Sequence, residues 1–286
     1  VVTPDLTPRS AEVSLSRAKQ WLGLPLDHQS LVDCFERMRL DAEAIDDDRY
    51  RVTYPAFRGD IRHMVDLLED VAIGFGYENI VPALVPTMTV GRPRPEEVIS
   101  EQARGVLFGL GFTEVMSLPM TTEADHYEKL RLPVPERYVR VANPKLKALT
   151  VVRSHLLGGV ANALHANRRR PMPVRLFEMD NCVDFGDGPF GVVEARRLCF
   201  AEIGPDAGFA GARSVLDALA FELGWEATYE ATEHPSFVPG RVARFTAGAV
   251  EGLCGELHPA VLDGFGLDQP VGIVELQLAV IDFEKA

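Results

Sequence analysis

The sequence predicts an α+β protein built in two parts, and three observations carry that reading. In the first eighty residues, apolar positions recur at helical spacing in three stretches, with two short β-prone runs between them. From Thr113 onward, long β-prone runs follow one another with only three helical stretches among them. Between the two parts, the stretch from Val81 to Pro95 carries Pro82, Pro86, Pro93 and Pro95 and reads as a stiff linker.

In chain order, Ser14 can cap a first helix carrying Leu15, Ala18 and Leu22, which Gly23 ends. Ser30 to Leu40 gives a second, with Leu31, Cys34, Phe35 and Met38 on one side. Strands over 41–45 and 50–54 flank an Asp-Asp-Asp turn at 46–48. A third helix over 63–75 closes a module spanning 1–82, and helices followed by a small hairpin suggest a winged-helix-like shape. After the linker, assigned to 83–95, residues 96–286 form the second part. It opens with a helix over 96–110 that turns Val98, Ile99, Ala103, Val106, Leu107 and Leu110 inward before Gly111. Strands are expected at 113–118, 138–141, 175–185, 196–203, 226–230, 242–247, 252–257 and 272–278, and helices at 154–167, 210–223 and 259–264. Long strands joined mostly without crossover helices favour a mixed, largely antiparallel sheet with helices packed on it.

Composition narrows the function classes. A chain of 286 residues with 47% hydrophobic and 25% charged residues has the balance of an ordinary globular protein, and no apolar run reaches the roughly 20 residues of a membrane span. Cys34, Cys182, Cys199 and Cys254 lie far apart, which argues against a zinc site and fits reduced thiols in a cytoplasmic protein. The net charge of −13 has the wrong sign for gripping a phosphate backbone over a broad surface. Arg168-Arg169-Arg170 is the one dense basic cluster, and reads first as the charged last turn of a helix before Pro171.

The third helix is the most informative element. Asp66, Glu69 and Asp70 stand at i, i+3 and i+4, so all three project from one face, while Ile61, Leu67, Leu68, Val71 and Phe75 line the other. Asp60 lies just ahead, where a carboxylate can meet the free N–H groups of the helix start. Three acids on one face need a cation or water. A solvated acidic face, a hard-cation site and a basic group from a partner chain all satisfy the spacing.

The run Phe57-Arg58-Gly59-Asp60-Ile61, then Asp66-Leu67-Leu68-Glu69-Asp70-Val71-Ala72, then Phe75-Gly76-Tyr77-Glu78-Asn79-Ile80, closely resembles the beta subunits of phenylalanyl-tRNA synthetases in their archaeal and eukaryotic form. Thr3-Pro4-Asp5-Leu6-Thr7-Pro8-Arg9, Asn143-Pro144-Lys145, Val152-Arg153-Ser154, Leu176-Phe177-Glu178, His234 to Arg241 and Gly255-Glu256-Leu257-His258-Pro259 extend the resemblance in order along the chain. It implies a B5 domain over 1–82 and an inactive class II synthetase-like domain over 96–286. It also implies Mg²⁺ on Asp60, Asp66, Glu69 and Asp70 at the junction with a catalytic alpha subunit that binds ATP. The assembly implied is α₂β₂, acting on the phenylalanine tRNA in the cytoplasm. The chain opens at Val1, without methionine and where the small module begins, so upstream domains, the editing module included, are expected to be missing.

No residue here is assigned a catalytic role. Class II enzymes clamp the α-phosphate with a Phe-Arg-x-Glu strand motif and a later glycine-rich motif ending in arginine. Arg175-Leu176-Phe177-Glu178 stands in the first place with phenylalanine where the arginine would be, and Val271-Gly272-Ile273-Val274-Glu275-Leu276 has one glycine and no arginine. No P-loop or dinucleotide fingerprint occurs, and the histidines have no metal-ligand spacing. The stretch from His234 to Arg241 reads as an ordered loop, or as one meeting a partner subunit with Arg241 on a carboxylate. A regulatory or structural paralogue without aminoacylation, and a ligase that has repurposed the fold, are the alternatives.

Overall fold

A computed structural model describes residues 3–85 and 87–280, with side chains to 279. Pro86 of the expected linker, Val1, Val2 and residues 281–286 of the second part lie outside the described residues. The chain divides into two compact units, residues 1–90 and 91–286.

The first unit begins with a strand that periodicity did not predict, β1 (Arg9–Ser14). It carries one fully buried residue, Val13, and pairs not with a neighbour but with the distant β3, so no local signal announces it. Helix α1 (Leu15–Leu22) has the expected frame: the Ser14 hydroxyl accepts from Arg17 N–H, and Gly23 closes it in the left-handed conformation at φ 64°. Helix α2 (His28–Arg37) starts two residues before the expected Ser30, because Asp27 is its cap and Ser30 answers as the third residue of a reciprocal capping box. Strands β2 (Asp41–Ala44) and β3 (Arg49–Tyr54) form the hairpin, and the sheet order is β1-β3-β2. Helix α3 (Met64–Phe75) seals the core with Leu67, Leu68 and Val71. A Cβ on Gly74 would run into the Cys34 carbonyl, so glycine is what lets α3 approach α2 this closely.

From Val81 to Arg94 the described residues have no regular structure. Pro95 then serves as the first residue of α4 (Pro95–Gly109), where its missing N–H is harmless. Ala103 and Leu107 face inward as expected, but Val98 is exposed and so is Phe108. The expected strand at 113–118 shrinks to β4 (Thr113–Glu114), and 138–141 contributes one isolated bridge from Arg140 to Val151. Two short strands pair instead, β5 (Met120–Thr121) and β6 (Val151–Val152). A π-helical turn over Ala124–Glu128 buries His126 and Tyr127.

Then come α5 (Leu157–Asn167), β7 (Val174–Phe185), β8 (Val192–Ile203), α6 (Phe209–Glu222), β9 (Thr228–Ala231), β10 (Phe237–Ala247), β11 (Val250–Leu257), α7 (Pro259–Phe265) and β12 (Val271–Val280). Seven strands form one sheet in the order β4-β7-β8-β12-β11-β10-β9, with β4 parallel to β7 and every other pair antiparallel. The sheet is thus mixed and largely antiparallel, as the sequence predicts.

Strand alternation divides its side chains between two cores. Leu176, Cys199 and Ile273 pack with α5 and α7, whereas Phe177, Phe200 and Val274 pack with α4 and α6. The stretch read as a loop from His234 is half strand: β10 starts at Phe237 and accommodates Pro239 and Gly240 at a register irregularity before Val242.

Candidate functional sites

In the first unit the four predicted acidic positions separate into four environments. Asp66 sits in the first turn of α3, and its Oδ2 accepts from Arg62 N–H and His63 N–H, both at 2.7 Å. Those donors hold its carboxyl below the usual carboxylate range. The role of meeting the N–H groups near the helix start, expected of Asp60, therefore belongs to Asp66; α3 begins at Met64, four residues beyond Asp60. His63 completes the cap by accepting Val65 N–H on Nδ1.

Asp60 turns to Arg58 instead. The Arg58 Nε donates to both Asp60 oxygens at 3.1 Å and Nη2 to Oδ2 at 2.7 Å, which holds the Asp60 carboxyl low. The same Nη2 reaches Asp70 Oδ2 at 2.8 Å. Asp70 is 4% exposed, on the buried side of α3 with Leu67 and Val71 rather than on an open acidic face. Glu69 is exposed, and its side chain makes no hydrogen bond among the described residues.

The cation that this cluster requires comes in part from within the chain. Carboxylate oxygens suit a hard cation, but among the described residues no three His, Cys, Asp or Glu side chains are gathered so as to hold a metal ion. Two of the four acids are occupied by Arg58. Asp66 Oδ1 and Glu69 keep oxygens without a protein partner.

The second unit buries a larger polar network. Arg153, between β6 and α5, is 3% exposed and Glu178 on β7 is 1% exposed. Arg153 Nη1 donates to Glu178 Oε1 at 2.6 Å and to Ser117 Oγ at 2.9 Å, and Nη2 donates to Asp180 Oδ2 at 2.6 Å. Ser117 closes the ring by donating N–H and Oγ–H to Glu178 at 2.8–2.9 Å. A Cβ at Gly159 would meet Ser117 Oγ at 2.6 Å, so a bare backbone is needed where α5 passes.

The Leu176-Phe177-Glu178 stretch divides between the two faces of β7. Phe177 points into the α4/α6 core. The residues facing the polar cluster are Glu178 and Asp180, so the groups presented there are carboxylates, already bound to an arginine of the same chain. Arg153 is buried and spends its guanidinium on two carboxylates of its own chain. Arg241 does pair with a carboxylate, and it is this chain's own Glu256 at 2.7 Å. Ser117 and Asp180 were not singled out in the sequence, because their partner lies 36 and 27 residues away in the chain.

Beside the network, His126 and His155 stack at 3.8 Å with their planes 8° apart. Ser154 N–H donates to His126 Nε2, and His155 Nε2 donates to the His126 carbonyl. Burial, helped by the field of Arg153, pushes His126 down to about 4, and burial also lowers His155. Glu275 on β12 accepts Leu156 N–H at 2.6 Å while burial raises its carboxyl. All four cysteines are buried and free, with Cys182 and Cys199 raised by burial, so none is an available thiolate. Among the described residues, no helix is long and apolar enough to cross a membrane.

Comparison with known proteins agrees with this arrangement in two segments. Residues 11–77 match the model of the tRNA synthetase B5 domain, and residues 81–278 match that of the phenylalanyl tRNA synthetase beta chain CLM domain. The phenylalanine–tRNA ligase beta subunit of Methanothrix thermoacetophila is 35% identical over 98% of this chain and 51% of its own length. Those of Pyrococcus furiosus and Thermofilum pendens are 34% and 36% identical, over 97% and 98% of this chain and 50% of theirs. The chain thus spans about half the length of the curated relatives it matches. Among solved structures, a pyrrolysyl-tRNA synthetase of Desulfitobacterium hafniense is similar at a TM-score of 0.49 and 17% identity, over 64% of this chain and 66% of that one. With both models matched in order, and together covering most of its length, the chain belongs to the family of phenylalanine–tRNA ligase beta subunits.

Proposed function

We propose that this chain acts as the C-terminal part of a phenylalanine–tRNA ligase beta subunit: a non-catalytic partner of an alpha subunit that attaches phenylalanine to its tRNA at the expense of ATP. The observation that carries the reading is continuous identity of about one third to named beta subunits along 98% of the chain. Residues 1–82 serve as the B5 domain and 83–95 as the linker. Residues 96–286 serve as a class II synthetase-like domain without chemistry of its own. Its Arg153, beside the strand that carries Glu178, is already bound to Glu178 and Asp180. ATP binding and amino-acid activation fall to alpha, in an α₂β₂ assembly working in the cytoplasm.

With a net charge of −13, the chain's own surface favours protein contacts over broad contact with tRNA phosphates. Mg²⁺, in this reading, lies where α3 meets alpha and supplies positive charge to that junction. Asp66 and Glu69 offer the unpartnered oxygens, water and the partner completing the shell. Asp60 and Asp70 would complete the four acidic positions, and both are held by Arg58 in this chain.

Aminoacylation of tRNA with labelled phenylalanine tests the proposal, using the chain alone, the chain with its matched alpha subunit, and the full-length beta subunit with alpha. Activity only with alpha supports it. Activity of the chain alone, or failure of the full-length beta subunit to form an active complex, overturns it. For the metal, Mn²⁺ bound per complex, read by electron paramagnetic resonance, should fall in Asp66→Ala/Glu69→Ala; unchanged Mn²⁺ binding removes these residues from the site.

A further inference from the structure

Past the cover of α5 and α7, the large sheet leaves part of the same face open. Arg197 on β8 stands opposite Gln277 on β12, which stands opposite Glu251 on β11. In the adjacent row Cys199, Glu275, Leu253 and Arg244 face one another across four strands. Opposed residues of an antiparallel ladder share a face, and Cys199 and Leu253 assign this one to the α5/α7 side. The segment from β9 to β10 brings Glu233 and His234 over that floor, enclosing a cleft of about 210 Å³.

The charges of this cleft stand out from the rest of the sheet. Arg175, Arg196 and Arg241, on the same sheet, are each paired with a glutamate. Arg197 and Arg244 form no ion pair among the described residues, and neither do Glu233 and Glu251. Arg197 has a buried Nε without a hydrogen-bond partner, and its Nη2 makes one long contact to Gln277 at 3.4 Å. A buried donor left unpaired is destabilising by roughly 1–3 kcal/mol unless something fills it. His234 is lowered by burial, so near neutral pH it adds no third cation.

We propose that this cleft binds a small zwitterion, a free α-amino acid or close analogue, with its carboxylate on Arg197 and Arg244 and its ammonium between Glu233 and Glu251. Guanidinium forks match carboxylates in geometry as well as charge. The two glutamates repel a multiply charged anion, which disfavours nucleotides and pyrophosphate. The volume lies below the roughly 300–1,000 Å³ typical of larger ligands. Leu253 is the cleft's only aliphatic side chain, and no phenyl or indole ring lines it, so the occupant has a small or polar side chain, unlike phenylalanine. The inference is independent of the functional reading above.

Calorimetric titration of the full chain with serine, phenylalanine, acetate, ethylamine and inorganic phosphate tests it. Serine should bind saturably, with acetate, ethylamine and phenylalanine each at least about tenfold weaker. Arg244→Ala and Glu251→Gln, both at exposed positions, should each weaken serine about tenfold while the unfolding midpoint is unchanged. No saturable serine binding, equal binding in both variants, or phosphate binding more tightly than serine overturns the proposal; the last result would leave a plain anion site.

Discussion

Arg58 and Arg153 each hold two carboxylates, one buried and one exposed, and the two clusters differ in how many other groups share the load. Arg58 keeps a fifth of its side chain in water, and Asp70 depends on it for hydrogen bonds. Arg153 is 4% exposed, and its buried carboxylate Glu178 is also held by two donors from Ser117. The first cluster holds acidic positions where the resemblance implies a metal, and the second lies beside the strand stretch Arg175 to Glu178, which stands where active class II enzymes carry a phosphate-clamping arginine. In both, an arginine of the chain itself supplies positive charge. In the first, Asp66 and Glu69 keep oxygens without a protein partner among the described residues. The second is closed.

The largest effect should come from opening the closed cluster. Arg153→Ala strands Glu178 as a buried charge and should destabilise residues 91–286 by about 3–5 kcal/mol in denaturant unfolding. The chain's two tryptophans make the comparison measurable, since Trp21 belongs to the first unit and Trp225 to the second. Single Trp→Phe variants then report each unit separately. A loss seen equally at Trp21 and Trp225 would show that the two units unfold as one.

Acid should separate the units next. The folded His126 sits near 4 against an ordinary 6.5, so the unfolded chain binds the proton first. Stability is therefore whole above about pH 6.5 and falls as pH drops toward 4, by roughly 3 kcal/mol in total. In the first unit Asp60 and Asp66 are depressed, so their contribution persists until pH falls below about 4. The Trp225 transition should weaken between pH 6.5 and 4 while that of Trp21 holds, and His126→Gln should flatten the slope. Parallel decline of both would refute the assignment.

Much of this was legible in the sequence where the cause is local. The Ser14 cap, the Gly23 stop and the long β7, β8 and β12 strands follow from neighbours in the chain. So does the spacing of Asp66, Glu69 and Asp70. What escaped depends on distance. β1 needs β3 across 35 or more residues of chain to become a strand, and Ser117 reaches Glu178 across 61. The crowding of carboxylates on and before the third helix was legible too. Arg58 sat two residues before Asp60 in the same motif, but only the folded backbone shows it bridging Asp60 and Asp70.

Within the acidic cluster the remaining effects should rank by contact. Arg58→Ala leaves Asp70 buried without its partner and should cost about 2 kcal/mol at Trp21, less than Arg153→Ala because Arg58 is partly solvated. Asp66→Ala removes the carboxylate that accepts from Arg62 N–H and His63 N–H at the start of α3, and should lower the Trp21 midpoint by less than Arg58→Ala does. Glu69→Ala removes an exposed side chain with no hydrogen bond or ion pair among the described residues and should stay within about 0.5 kcal/mol of the parent. That last null is the most useful of the series. If the stability of Glu69→Ala is unchanged, any loss of partner binding or Mn²⁺ uptake in it has to arise at the junction itself. If Glu69→Ala instead destabilises the first unit as much as Asp66→Ala, the acidic face is structural throughout, and its separation into anchored and open carboxylates fails.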